Sequence, residues 1–116
     1  MTSTIKTVIY PIHDLAAAKA LFTHALGTEP VMDEAYYVQY NVSGQEIGLD
    51  PNGHSKGMTG PAVYWQVDDV KQSLQALLDS GATTHQEISD FGSGGRRLVA
   101  SVKDADGNVV GLIQES

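Results

Sequence analysis

Thr7-Val8-Ile9-Tyr10-Pro11-Ile12 runs directly into His13-Asp14-Leu15, and about half the chain later Ala62-Val63-Tyr64-Trp65-Gln66-Val67 runs into Asp68-Asp69-Val70. Each is an apolar, β-branched and aromatic run followed by an acidic residue suited to cap a helix. Behind each cap lies an Ala- or Leu-rich helical pattern that stops at a glycine, Gly27 in the first half and Gly81 in the second. Each half then adds extended segments around a polar turn, Ser43-Gly44 and Asp104-Ala105-Asp106-Gly107-Asn108. A repeat of this length cannot bury its apolar face alone, so two copies are expected to pack together and create a concave surface. The expected class is α+β: two tandem βαβββ modules forming a concave, mostly antiparallel sheet with helices on the outer face. Module 1 covers about residues 1–52, a linker about 51–61 and module 2 about 61–116, together one domain.

The first helix is expected from Asp14 to Leu26. Leu15, Ala18, Leu21, Phe22, Ala25 and Leu26 recur at three- and four-residue spacing as one apolar stripe, and Gly27 supplies a left-handed terminator. In the second helix Asp68 or Asp69 caps, Val70, Leu74, Leu77 and Leu78 form the stripe, and Gly81 ends it. Tyr36 to Val42 and Gln45 to Asp50 predict a hairpin around Ser43-Gly44. With a two-residue loop, Val42 faces Gln45, Tyr40 faces Ile47, Gln39 faces Gly48, Val38 faces Leu49 and Tyr37 faces Asp50. Side chains alternate between faces. Val38, Tyr40, Val42, Ile47 and Leu49 then point to a helix. Tyr37, Gln39, Asn41, Glu46, Gly48 and Asp50 share the opposite face, which is too polar for a core and is either solvated or the floor of a site. Short strands are also expected at Val31–Asp33 and Thr83–Ile88, and a last hairpin at Arg97–Val102 and Asn108–Ile113. Trp65 alternates with Tyr64 and is expected to turn toward the second helix.

Fourteen acidic against seven basic residues give a net charge of −7. Such a surface repels phosphate backbones and lacks the basic stripe of a nucleic-acid binder, so no nucleic-acid partner is expected. It suits cationic small molecules better than anionic ones. No apolar run approaches the roughly 18 to 20 residues that span a bilayer, so no membrane partner is expected. The start, Met1-Thr2-Ser3-Thr4-Ile5-Lys6, lacks a signal-peptide pattern, and the expected location is the cytoplasm. The absence of cysteine excludes disulfides and thiolate metal sites.

The order of these elements, carrying Ile12-His13-Asp14-Leu15, Val67-Asp68-Asp69-Val70 and Asp104-Ala105-Asp106-Gly107-Asn108-Val109-Val110-Gly111, resembles the vicinal oxygen chelate superfamily. That group contains glyoxalases, extradiol dioxygenases, fosfomycin-resistance enzymes and bleomycin-resistance binding proteins. The resemblance covers nearly the whole chain, and the Asp-Ala-Asp-Gly-Asn turn is its most specific fragment. It implies the fold, but not whether the protein is an enzyme or a binder. Metal-dependent members hold a divalent ion with His, Glu or Gln from four strand positions. Matched one by one, those positions are here Thr7, Gly48, Ala62 and Gly111. Divalent sites need several N or O donors converging at about 2 Å, and two glycines and an alanine supply none. The neighbours Val8, Ile47, Leu49, Val63, Val110 and Leu112 are no better. No metal and no cofactor are therefore expected.

Other chemistries find little support. His13 precedes the helix cap, His24 flanks the apolar stripe, His54 lies in the linker and His85 on an edge strand, with no paired spacing for a metal. Phe91-Gly92-Ser93-Gly94-Gly95 precedes Arg96-Arg97 but no helix, so it makes no phosphate cradle. No Gly-x-Ser-x-Gly nucleophile motif occurs. The favoured reading is a metal-free binding protein similar to the bleomycin-resistance branch, an antibiotic-resistance role in which a drug or natural product is sequestered. No catalytic residue is assigned. The expected ligand contacts are Thr7, Tyr37, Gln39, Asn41, Asp50, His54, Tyr64 and Gln66, with Gly48, Ala62 and Gly111 leaving volume. Tyr37 and Tyr64 serve either as stacking surfaces or as edge packing. Asp50 suits a cationic group on an aromatic ligand, with His54 at the mouth. The alternatives are a glyoxalase-like lyase, isomerase or dioxygenase with a displaced metal or none, and an accessory protein acting through its surface. A homodimer with closed two-fold symmetry is expected.

Overall fold

The computed structural model describes residues 4–90, 94 and 96–115. The elements run β1 (Thr4–Pro11), α1 (Leu15–Leu26), β2 (Met32–Glu34), β3 (Tyr37–Val42), β4 (Gln45–Asp50), a 3-10 turn (His54–Lys56), β5 (Ala62–Gln66), α2 (Val70–Asp79), β6 (Thr83–Asp90), β7 (Arg97–Lys103) and β8 (Val109–Glu115). This is the α+β composition expected from the repeat. The chain divides into an N-terminal unit, Thr7–Pro61, and a C-terminal unit that begins at Ala62 and also takes the start of β1 up to Lys6. The glycine-rich loop expected at Phe91–Gly95 lies outside the described residues apart from Gly94.

In the N-terminal unit the strands are ordered β2-β3-β4-β1, and β1 is parallel to β4 while the remaining pairs are antiparallel. In the C-terminal unit the order β6-β7-β8-β5 repeats that plan, with β5 parallel to β8. A strand that reaches its parallel neighbour needs a long crossover, and in each unit the helix and two further strands supply it. The duplicated text of the sequence is thus a duplicated topology.

Local chemistry explains the elements. Asp14 caps α1 by accepting from the Ala17 amide at 3.0 Å, and Gly27 closes it at φ 70°. Asp69, rather than Asp68, caps α2 through the Gln72 amide at 3.1 Å, and Gln114 Oε1 accepts from the Val70 amide at 2.8 Å. The second helix ends one residue earlier than expected: Ser80 is its cap, and Gly81 makes the left-handed turn after it at φ 106°. Ser43 and Gly44 both have positive φ, 53° and 88°, as a two-residue hairpin turn requires. That turn fixes the register, and the pairs Val42–Gln45, Tyr40–Ile47, Gln39–Gly48 and Val38–Leu49 stand as expected.

Val38, Tyr40 and Leu49 are fully buried against Leu15, Ala18, Phe22 and Leu26 of α1. Tyr40 also carries a polar tie, since its hydroxyl donates to the Lys19 carbonyl at 3.0 Å and lies 2.8 Å from Thr23 Oγ1. Leu21 departs from the expected stripe and is exposed. At 3.6 residues per turn it falls on the flank of the face defined by Leu15, Phe22 and Leu26. In the C-terminal unit Val70 and Leu74 of α2 pack with Val67, Ala100, Val102 and Leu112. Trp65 shares the face of its register partner Leu112 and is half-buried. Among the described residues no helix is long and apolar enough to cross a membrane.

Candidate functional site

The face of the N-terminal sheet turned away from α1 is organised in rows by strand register. Thr7, Glu46 and Asn41 form one row, Ile9, Gly48, Gln39 and Met32 the next, and the third holds Pro11 paired with Asp50 and Tyr37 paired with Glu34. The first row is buried at Thr7 (4 % exposed) and Glu46 (7 %) and open to solvent at Asn41. Thr7 Oγ1 donates to Glu46 Oε1 at 2.7 Å. A carboxylate is almost never this buried unless it is paired. Alternation placed Glu46 on the polar face, but nothing in the sequence marked it as buried, and it was absent from the expected ligand contacts.

Tyr37 leans from the third row onto the second. Its ring lies on Gly48, so that a Cβ at residue 48 would overlap the hydroxyl and stand 2.6 Å from Cζ. Diagonal neighbours across an antiparallel pair are within reach of an aromatic side chain. The volume expected above Gly48 is therefore filled by the chain's own phenol. The C-terminal unit does the same by a different route. Tyr64 and Gly111 are direct partners of the parallel β5–β8 pair, and a Cβ at residue 111 would stand 2.5 Å from Tyr64 Cγ and 2.6 Å from Cε2. Ala62 is fully buried, and Gln66 is half-buried beside its partner Ile113. In the same row as Tyr64 and Gly111, buried Ser101 meets His85 Nδ1 at 2.9 Å, which ties the edge strand inward.

The remaining expected contacts have local partners. Asn41 Oδ1 accepts from the Gly44 amide at 2.9 Å and so helps form the hairpin turn. Gln39 is half-buried opposite Gly48. Asp50 is 6 % exposed, accepts from the Asn52 amide at 2.8 Å and pairs with Lys56 Nζ at 2.8 Å. The cation it meets in this structure belongs to the chain itself. His54 stacks on His13, with ring centroids 3.9 Å apart and planes within 1°. The linker is thus a folded turn, further held by Gly53 and Lys56 amides donating back to the Asp50 and Asn52 carbonyls. Shallow depressions lie elsewhere, on the outer faces of α1 around Lys19 and Thr23 and of α2 around Gln72 and Gln75.

The profile of the Glyoxalase/Bleomycin resistance protein/Dioxygenase superfamily matches residues 4–112, nearly all of the fold just described. The chain belongs to that superfamily. No curated protein matches it in sequence. Among solved structures, a glyoxalase/bleomycin resistance protein/dioxygenase superfamily member from Vibrio splendidus 12B01 is similar at TM-score 0.76 and 17 % identity, covering 98 % of this chain and all of that one. Methylmalonyl-CoA epimerase from Mycobacterium tuberculosis is similar at 0.67 and 17 %, covering 97 % and 87 %. A variant of the Streptomyces coelicolor methylmalonyl-CoA epimerase, in complex with 2-nitronate-propionyl-CoA, is similar at 0.69 and 16 %, covering 100 % and 96 %. At these identities the likeness is one of fold.

Metal-dependent members of the superfamily set a donor side chain at each of the positions occupied here by Thr7, Gly48, Ala62 and Gly111. The residues present do not fit such an ion. Two of the positions lie under tyrosine rings, a third is a buried alanine, and the Thr7 hydroxyl is committed to Glu46. Among the described residues no three His, Asp or Glu side chains cluster as a metal site.

Proposed function

We propose that the protein is a metal-free small-molecule binder of this superfamily, one that sequesters a drug or natural product in the manner of bleomycin-resistance proteins. The observation that carries this reading is the tyrosine over each glycine. Where a catalytic ion would need donors, Tyr37 and Tyr64 present flat, amphipathic rings on a bare backbone. Aromatic surface with a few fixed polar groups is the composition of a binding site. The ligand is aromatic or cationic, in keeping with the charge of −7. The protein acts in the cytoplasm as a homodimer, without nucleic-acid or membrane partners.

A second reading is favoured by Glu46. A buried carboxylate on a sheet face is a candidate proton acceptor, and solved structures of this fold include epimerases. The enzyme would then act by proton transfer at a carbon acid. Native mass spectrometry after purification without chelators separates the two readings. The binder is expected to carry no stoichiometric divalent ion and to release a small molecule on denaturation. One tightly held ion per chain, or turnover of a carbonyl substrate, would overturn it.

A further inference from the structure

We infer that the stacked pair His13–His54 is an acid-operated latch: it holds the turn between β4 and β5 on the junction of β1 and α1, and releases it when both rings take a proton. The two imidazoles lie face to face, with centroids 3.9 Å apart and planes within 1° of parallel. Both residues are exposed, so protons reach them without unfolding. Imidazole is the side chain that ordinarily changes charge between about pH 5 and about pH 8. A neutral ring stacks on a neutral ring or on a charged one. Two charged rings at this spacing repel, which disfavours the stack about 5-fold even at the dielectric of water. The contact is therefore present at neutral pH and lost as pH falls far enough to charge both rings.

The latched turn is built from its own backbone. The amides of Lys56, Gly57 and Met58 donate back to the Asn52, His54 and Gly53 carbonyls. It also sits directly on the end of β1, where a Cβ on Gly53 would stand 2.7 Å from Pro11 Cβ and 3.0 Å from the sulfur of buried Met58. The charged groups around the pair are Asp14, next in the chain to His13, with Asp50 and Lys56 on either side of His54. Asp14 caps α1 through the Ala17 amide, and Asp50 holds the Asn52 amide and the Lys56 ammonium. Asp14 offsets the charge of one ring, while Lys56, two residues after His54, adds to that of the other. Carboxylates and ammonium groups ordinarily keep their charge between about pH 5 and about pH 8. Acid in that range thus acts on the ring contact and leaves the packing of Gly53 on Pro11 in place.

The test is NMR of the whole chain from about pH 8 to about pH 5, following contacts between the two rings and the exchange of the Gly57 and Met58 amides. Ring-to-ring contacts are expected at the upper pH and are expected to vanish at the lower one. Exchange of the two amides, corrected for its intrinsic pH dependence, is expected to be about 5-fold faster in acid. H13F puts an uncharged ring opposite His54, and a single imidazolium stacks on such a ring. It is expected to keep the stack and the slow exchange in acid. H13A leaves His54 nothing to stack on and is expected to exchange fast throughout. Ring contacts that persist in acid, or H13F amides that quicken as much as those of the parent chain, would overturn the latch. Amides in H13A as protected at the upper pH as in the parent chain would overturn it as well, since the stack would then hold nothing.

Discussion

The Tyr64 ring is seated on Gly111 by its root, with Cγ 2.5 Å and Cε2 2.6 Å from where a side chain at 111 would begin. A ring met at Cγ can clear the position only by changing χ1, which swings the whole ring into another rotamer. G111A is therefore expected to cost about 1–3 kcal/mol, the range for overfilling a packed site. G48A is expected to cost less, under about 1 kcal/mol, because Tyr37 meets that position with its mobile end. Urea denaturation of the two variants checks the difference. Equal losses would mean that Tyr37 is as fixed as Tyr64.

Asp50 and Lys56 make an unequal pair. The carboxylate is buried while the lysine side chain is 60 % exposed. D50A removes an acceptor used by both the Asn52 amide and Lys56, and is expected to destabilise by about 1–3 kcal/mol. K56A removes an exposed partner and is expected to cost no more than about 1 kcal/mol. Stability curves for both variants would contradict this if the order reversed.

Tyr40 ties β3 to α1 as well as filling the core. Y40F keeps the packing and deletes both hydroxyl contacts, to Thr23 and to the Lys19 carbonyl. The expected loss is about 1–2 kcal/mol, and a change within a few tenths of zero would show that water satisfies the freed groups.

Asp104 organises the β7–β8 turn. The Asn108 side-chain amide, with the Asn108, Asp106 and Gly107 backbone amides, holds its carboxyl below the ordinary 3.8. A carboxyl depressed on folding contributes stability that is present above its unfolded value and is lost as pH falls through the folded one. Melting curves should therefore show a loss of stability below pH 3.8 that D104A flattens. An unchanged acid limb in D104A would count against this. The group is exposed, so the effect is small.

Added Zn²⁺, Ni²⁺ or Mn²⁺ is expected to leave the melting temperature unchanged. A ligand bound by the folded state alone would raise it in a concentration-dependent way. A saturable rise would overturn the metal-free reading.

Much of this was written in the one-dimensional chain. With Ser43 and Gly44 as a two-residue loop, the side chains of β3 and β4 that face each other follow from period-two alternation, and the observed register is that one. Asp14 and Asp69 cap by bonds to amides three residues on, a distance that sequence spacing specifies. The residue types at the four family positions could likewise be read off directly, and with them the lack of metal donors.

Other features needed three dimensions. The turn at His54–Lys56 brings Lys56 back to Asp50 and His54 onto His13, which no periodicity announces. The burial of Glu46 depends on what surrounds its row rather than on its own strand. A glycine in a strand reads as empty volume. Whether a neighbour fills that volume depends on side-chain rotamers and on which strand lies alongside, and here tyrosines from two different kinds of strand pairing do so. Local sequence determined the elements, their register and the donor-poor family positions; long-range packing alone decided that aromatic rings cover two of them.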